Sequence, residues 1–178
     1  MTHDRYSDDY IAGILQDCRT IAMVGASANT NRPSYFAMKY MLAKGYVVHP
    51  INPGLAGQTL LGQTVFGDLE SVPAPIDMVD VFRNSEAALE VAREAIRLKD
   101  SHGIKVVWMQ LGVRNDEAAA EAEAAGLKVV MNRCPKIEYG RLSGEIGWAG
   151  VNSGVISSAR PKLSPLGVQN HVIGNRRS

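Results

Sequence analysis

The sequence has few cysteines, no long apolar run and almost no net charge, and each of these absences excludes a class of protein. Two cysteines among 178 residues, Cys18 and Cys134, are too few for a disulfide framework. The longest apolar runs have the length of strands and fall short of the ~20 residues of a membrane helix. The polar start, residues 1–9, lacks the apolar segment of a signal peptide. A formal net charge of +1 gives no strong field to attract nucleic acid. We therefore expect a cytoplasmic protein that binds neither membranes nor nucleic acid.

Apolar segments of strand length alternate with helical patterns along most of the chain. Hydrophobic residues make up 46% of the sequence, which is enough for a packed core. Near-continuous apolar strands that alternate with helices predict an α/β fold, a Rossmann-like doubly wound parallel sheet of about five strands with helices on both faces. Right-handed crossovers give the order 3-2-1-4-5 most simply. The predicted strands are 20–24, 46–51, 78–82, 105–109 and 127–131, and the predicted helices are 8–17, 33–44, 85–99 and 115–125.

The C-terminal part of the chain lacks the periodic patterns of the part before it. Helical and strand periodicities fade from Gly150 onward, where Arg160, Lys162, Arg176 and Arg177 occur. We therefore assign residues 1–145 to one domain and residues 146–178 to an extended or flexible C-terminal tail.

The loop between the first predicted strand and the next helix has the features of an anion site. Ligands of open parallel sheets bind beside the carboxyl ends of the strands, and this loop lies there. Gly25 permits a sharp turn and leaves room for an anion, and we expect free N–H groups near Ser34 and Tyr35 to point toward that space at a helix start. Ser27 and Ser34 add hydroxyl groups, and Arg32 adds a charge. The pattern predicts a site for a nucleotide phosphate.

Two determinants of NAD binding are missing. The dinucleotide fingerprint requires G-x-G-x-x-G and an acidic residue at the end of the second strand. The stretch GASANT, residues 25–30, retains only the first glycine, and the second predicted strand is followed by Asn52, Pro53 and Gly54. The Gly-Lys-Ser/Thr sequence of a P-loop is also absent.

Five blocks of the sequence resemble a known family, the stand-alone bacterial CoA-binding domain proteins. That family is related to the amino-terminal domain of the succinyl-CoA synthetase α subunit. The resemblance covers roughly residues 8–142, and the order and spacing of the blocks make it specific. The blocks are VGAS (24–27), RPSY (32–35), VHPINP (48–53), VWMQLGV (107–113) and MNRCPKIE (131–138).

The resemblance implies that coenzyme A, free or as acyl-CoA, lies across the strand ends in three parts. It implies a pyrophosphate on the first loop, adenosine beside the ends of the second and third strands, and the pantetheine arm beside the loop after the fourth. The implied cofactor-binding residues are Gly25, Ala26, Ser27, Arg32, Pro33, Ser34, Asn52, Pro53, Phe82, Arg83, Gln110, Leu111 and Gly112.

The chain departs from the synthetase at two points. A basic residue follows Pro-Gly after the second strand of the synthetase, whereas Leu55 follows here. The synthetase domain that carries the phosphohistidine has no counterpart, so the ligase reaction is not expected. A non-catalytic CoA-binding protein is favoured. An NAD(P)-binding oxidoreductase, a subunit of an acyl-CoA enzyme and an interaction protein without a ligand stay open, as do a protein partner and a homo-oligomer.

Asp80 and Cys134 are two further side chains with a candidate chemical role. Asp80 lies within the apolar third strand and needs a partner, and structural pairing is favoured over catalysis. Cys134 lies between Arg133 and Pro135-Lys136, where neighbouring positive charge would lower a thiol pKa. A packed, unreactive thiol is the favoured interpretation. The histidines show no metal-ligand spacing, and no metal site is expected.

Overall fold

Residues 1–145 are described by a computed structural model, and within them helices enclose a parallel sheet. The predicted tail, residues 146–178, lies outside the described residues. In chain order the elements are α1 (Asp8–Asp17), β1 (Thr20–Val24), α2 (Pro33–Ala43), β2 (Val47–Ile51), β3 (Thr59–Leu60), β4 (Gln63–Thr64), β5 (Met78–Val81), α3 (Ser85–His102), β6 (Val106–Met109), α4 (Asp116–Ala124), β7 (Lys128–Val130) and α5 (Pro135–Leu142).

The five-stranded sheet has the order β2-β1-β5-β6-β7, and each neighbouring pair is parallel. The predicted Rossmann-like fold class is confirmed, but the predicted order 3-2-1-4-5 is wrong. In that numbering the observed order is 2-1-3-4-5, because the chain returns across β1 after β2 instead of continuing outward. Both orders obey the right-handed crossover rule, so the rule alone does not distinguish them. The reversal of strand order therefore lies between β1 and β5.

Two apolar clusters hold the helices on opposite faces of the sheet. Alternate residues of a strand point to opposite faces, so adjacent Val107 and Trp108 belong to different clusters. Side chains of α1, α2 and α5 pack on the face of Trp108, and those of α3 and α4 pack on the face of Val107. The connection 52–77 adds Leu69, Val72 and Ile76 to the second cluster. Burial on both faces explains the continuous apolar strands.

The boundaries of the elements follow from local signals. Asn84 caps α3, since its side chain accepts a hydrogen bond from the Ala87 N–H at 2.8 Å. The helix ends at His102, three residues beyond the predicted end at Lys99, and its C-cap Gly103 has a left-handed φ of 72°. None of the helices found between residues 1 and 145 is long and apolar enough to cross a bilayer.

Two elements were not predicted. The hairpin β3–β4 turns through Leu61 and Gly62, both with positive φ, inside what was predicted to be a loop. Helix α5 follows Cys134 with Pro135 at its first position. Proline at that position is a helix-start signal, and it was available in the sequence.

Candidate functional site

A cleft of about 860 Å³ opens at the carboxyl ends of the strands, beside the reversal of strand order. The loops after β1, β2, β5 and β6 form its floor, and the starts of α2 and α5 form one wall. Every residue predicted for the CoA site except Gly112 lines this cleft: Gly25, Ala26, Ser27, Arg32, Pro33, Ser34, Asn52, Pro53, Phe82, Arg83, Gln110 and Leu111.

Gly25 is required by the packing of two strands. Its φ is +89°, and a Cβ atom there would collide with the carbonyl oxygen of Phe82 at the end of β5. The N–H groups of Gly25 and Ala26 both donate to the Ile51 carbonyl oxygen at 3.1 Å. The Cβ side of Gly25 is therefore filled by the end of β5, and both amides already have a partner within the protein. Gly25 still lines the cleft, and its contact with an anion stays a prediction.

The donors that remain for an anion lie at the start of α2. The N–H groups of Ser27 and Ser34 have no hydrogen-bond partner within residues 1–145, and both residues line the cleft. Pro33 at the first helical position has no N–H, so the Ser34 amide is the first that the helix offers. The expectation of a free amide at Tyr35 is wrong, because its N–H donates to the Arg32 carbonyl oxygen at 3.0 Å. The positive end of the helix dipole favours a negative ligand at this point.

Two guanidinium groups accompany these donors. Arg32 is the N-cap residue of α2 and makes no side-chain capping bond, and Arg83 follows β5. The arginines of residues 1–145 that form ion pairs lie elsewhere in the fold, so Arg32 and Arg83 line the cleft without a carboxylate partner. Both guanidinium groups thus line the same cleft, and guanidinium groups are suited to bind phosphate.

Asn52 joins two of the loops that form the cleft. Its Nδ2 donates to the Ala26 carbonyl oxygen at 2.8 Å, and its Oδ1 accepts from the Gly54 N–H at 2.8 Å. Both ends of this side chain are thus used within the protein, and Asn52 positions the floor of the site. Strand β2 ends at Ile51, so the residue directly after it is Asn52 and not an acidic residue.

Sequence reasoning missed the side of the cleft formed by α3 and the segment 67–69. Glu90 and Glu94, one turn apart on α3, lie there with Asp68, and burial raises the pKa of the Glu94 carboxyl. This segment reaches the cleft because Phe66 pairs with the end of β2 at Ile51. No local signal in a Gly-rich loop predicts that pairing. The other lining residues that were missed are Val24, Ile51, Gly67, Leu69, Val91, Val113, Cys134 and Ile137.

Asp80 and Gln110 lie at the base of the cleft. Asp80 is 1% exposed, and its two carboxylate oxygens accept from Gln110 Nε2 at 2.9 and 3.1 Å. Burial raises the pKa of the Asp80 carboxyl to about 7, and the hydrogen bond from Gln110 opposes this shift. The predicted need of Asp80 for a structural partner is confirmed, and Gln110 is that partner.

Cys134 lines the cleft as the residue before α5. Burial raises the pKa of its thiol, and the charge of Asp80 adds to that effect. The expectation that the adjacent basic residues lower this pKa is wrong, because the lowering by the Lys136 charge is smaller than the cost of burial. Arg133 forms an ion pair with Glu138, with 3.8 Å between Arg133 Nε and Glu138 Oε1. The thiol is therefore a weak nucleophile at neutral pH.

Gly112 turns the chain beside the cleft without lining it. Its φ is +85°, and its N–H donates to Asn132 Oδ1 at 2.7 Å. Of the three residues predicted to lie beside the pantetheine arm, Gln110 and Leu111 line the cleft and Gly112 does not. Leu111 is 63% exposed, so an apolar side chain stands open at the mouth. Among the described residues, no cluster of His, Cys, Asp or Glu has the form of a metal site.

The comparisons with known proteins agree with this geometry. The sequence model of a family described as "CoA binding domain" matches residues 19–140. The uncharacterized protein YneT of Bacillus subtilis is 35% identical over 129 residues, which cover 72% of this chain and 91% of YneT. A hypothetical protein from Pyrococcus horikoshii has a solved structure with a TM-score of 0.71 and 36% identity, over 80% of this chain and 99% of that one.

A more distant similarity concerns the fold alone. An acetyl-coenzyme A synthetase from Ca. Korarchaeum cryptofilum matches at a TM-score of 0.53 and 22% identity. The match covers 64% of this chain and 26% of the synthetase. The architecture found in residues 1–145 therefore also occurs as part of a larger protein.

Proposed function

The chain belongs to the CoA-binding domain family, and from this premise we propose that it holds CoA or an acyl-CoA across the carboxyl ends of its strands without transforming it. In this proposal the phosphates lie at the start of α2, and the pantetheine arm passes Gln110 and Leu111. The other residues predicted for CoA contribute the floor and walls of the same cleft.

The anion-binding arrangement around α2 is the observation on which the proposal rests. The amides of Ser27 and Ser34 have no partner within residues 1–145, and the side chains of Arg32 and Arg83 stand unpaired beside them. Ser34 is buried, so its unpaired amide benefits from an acceptor, whereas Arg32 and Arg83 are exposed and their charges are open to an anion. A bound pyrophosphate offers acceptors to all of these groups. CoA supplies that pyrophosphate and an arm long enough for a cleft of about 860 Å³.

The end of β2 favours CoA over NAD. An NAD site uses a carboxylate there to bind the ribose diol. Asn52 occupies that position and gives both ends of its side chain to neighbouring backbone groups, Ala26 and Gly54. An oxidoreductase that uses NAD(P) is therefore the less favoured alternative.

The nature of the groups in the cleft supports a holding role. Cys134 is the thiol that lines it, and burial raises the pKa of that thiol further above neutral pH. Asp80 lies behind Gln110 and does not line the cleft. We propose that the protein delivers or senses CoA in the cytoplasm, with any chemistry performed by a partner.

Isothermal titration of the full chain with CoA, acetyl-CoA, NAD and NADP tests the ligand class. We expect CoA and acetyl-CoA to bind and NAD and NADP to bind at least tenfold more weakly. Arg32→Ala should weaken CoA binding about tenfold through the loss of one charge-assisted contact. Arg97→Ala is the matched control, because Arg97 is exposed and pairs with Glu70 outside the cleft. NAD binding tighter than CoA binding would overturn the proposal.

Release of free thiol from acetyl-CoA, and of phosphate from ATP with CoA and carboxylic acids, tests the absence of catalysis. We expect both rates to equal the background without protein. Steady turnover by the purified chain would contradict the non-catalytic part of the proposal and leave CoA binding intact.

A further inference from the structure

The carboxyl group of Asp80 is enclosed between the central sheet and the helices that pack on one face of that sheet. Its neighbours in register are Met23 on β1 and Trp108 on β6, both fully buried in the apolar cluster under α1, α2 and α5. Asp80 forms no ion pair within residues 1–145, and its hydrogen bonds come from Gln110 alone. A carboxyl group in such a place destabilises the fold unless it is hydrogen-bonded. Core packing alone therefore gives no reason for a carboxyl group at this position.

Gln110 connects this buried carboxyl group to the cleft. The residue is 5% exposed, and it lines the cleft directly after β6. Its Nε2 points at both oxygens of Asp80, which fixes the orientation of the amide plane. Its Oε1 has no hydrogen-bond partner in the described part of the chain and is not among the fully buried polar atoms. The open acceptor of Gln110 is therefore accessible from the cleft.

We propose that Asp80 is a positioning residue for the ligand, because it holds Gln110 by Nε2 and so presents Oε1 to the cleft as an acceptor for an N–H of the bound molecule. This inference rests on the proposed function, since the pantetheine arm of CoA carries amide N–H groups. An ionised Asp80 accepts hydrogen bonds only, so it selects one of the two amide orientations of Gln110. Without that selection the amide is free to turn its Nε2 toward the ligand, where two donors would face each other.

Protonation of Asp80 reverses the arrangement. A protonated carboxyl group donates, its best partner is then the amide oxygen, and the Gln110 amide turns over. The pKa of Asp80, raised by burial to about 7, places this change in an accessible pH range. The flanking strands β1 and β6 carry no titratable residue, and the Cys134 thiol, directly before α5, is near enough for the charge of Asp80 to raise its pKa. No residue of α5 contributes to the Asp80 pKa. The charged residues of α1 and α2 do not contribute to the Asp80 pKa.

Titrations with two ligands separate this role from a structural one. CoA contains the amide arm, whereas adenosine 3′,5′-bisphosphate contains the nucleotide end alone. Its 5′-phosphate is a monoester that titrates near neutral pH, unlike the pyrophosphate of CoA, but this contribution of the ligand is the same for every variant. The quantity of interest is therefore the ratio of the two dissociation constants between pH 5.5 and pH 8.5, compared between wild type and Asp80→Asn. Relative to Asp80→Asn, we expect the advantage of CoA in wild type to fall about tenfold as the pH decreases through 7, since one hydrogen bond to the arm is lost.

Three variants make the test specific. Asp80→Asn keeps the shape without the charge, and its ratio should keep only the pH dependence that the phosphate of the ligand contributes. Gln110→Leu should weaken CoA about tenfold and leave adenosine 3′,5′-bisphosphate unchanged, which tests the contact even if Asp80→Asn does not fold. Asp77→Asn is the matched control, because Asp77 is a buried aspartate at the other end of β5, paired with Lys105. It should keep the pH dependence of wild type.

The outcomes distinguish the two proposals. If neither ligand binds wild type, the proposed CoA function is wrong. If both bind but the ratio changes with pH equally in wild type and in Asp80→Asn, the positioning role of Asp80 is wrong and CoA binding stands.

Discussion

The carbonyl oxygen of Phe82 occupies the position that a Cβ atom on Gly25 would need. This contact joins the end of β1 to the end of β5, the two strands between which the order of the sheet reverses. The side chain of Arg83 also crosses this point, with its Cδ 3.1 Å from that Cβ position. A glycine that the sequence associates with phosphate binding is therefore required by the packing of the strands.

Gly25→Ala should destabilise the fold more than an alanine at another glycine of similar φ. The left-handed backbone costs roughly 1–2 kcal/mol for an L residue, and at Gly25 the collision with Phe82 adds to that cost. Gly57→Ala is the matched control, because Gly57 has a φ of +84° and no atom within 4 Å of its Cβ position. Urea unfolding measures both free energies. Equal losses of unfolding free energy in the two variants would show that the Phe82 carbonyl group moves aside at no cost in free energy.

Arg83→Ala should reduce the preference for CoA over dephospho-CoA. The basic residue that the synthetase places after Pro-Gly is Leu55 here, so the 3′-phosphate needs another cation. Arg83 has no carboxylate partner within residues 1–145 and lines the cleft beside Phe82. One charge-assisted contact contributes roughly 1.5–3 kcal/mol, or about tenfold or more in affinity.

Titration of wild type, Arg83→Ala and Arg32→Ala with both ligands measures this preference. Arg32→Ala should weaken both ligands equally, because the start of α2 is assigned to the pyrophosphate. A wild type that binds CoA and dephospho-CoA equally would exclude recognition of the 3′-phosphate by any residue.

Asp80→Asn should change the dependence of stability on pH. Burial raises the pKa of Asp80 to about 7 in the folded protein, above its value in the unfolded chain. Between pH 4 and pH 7 the folded state then holds a proton that the unfolded state releases, so Asp80 makes wild type more stable as the pH falls. Above pH 7 the buried charge is a constant cost.

Urea unfolding at pH 5 and pH 8 compares the two proteins. Asp80→Asn should be the more stable protein at pH 8, and its advantage should shrink below pH 7 by up to about 1.4 kcal/mol per pH unit. The contributions of other groups cancel in the difference between the two proteins. An advantage that is the same at both pH values would show that Asp80 stays ionised.

Most of the secondary structure is predictable from local patterns. The strand at 20–24 and the helix at 8–17 are confirmed with their predicted boundaries, and the other predicted strands are shorter in the structure by one or two residues. Pro135 is a helix-start signal whose helix was not predicted. The hairpin β3–β4 was missed because two-residue strands carry no measurable alternation.

The sequence by itself determined the alternation of strands and helices, the fold class and the loops that hold the predicted CoA residues, because these depend on local periodicity and on recurring motifs. Only the tertiary structure decided the strand order, the role of Gly25 and the partner of Asp80. Each of those depends on which strands become neighbours: Gly25 meets Phe82, and Asp80 meets Gln110, across separate strands. Whether β5 pairs with β1 or with β2 depends on long-range packing, because both arrangements have the same local sequence pattern. Contacts between residues far apart in the chain follow from that pairing.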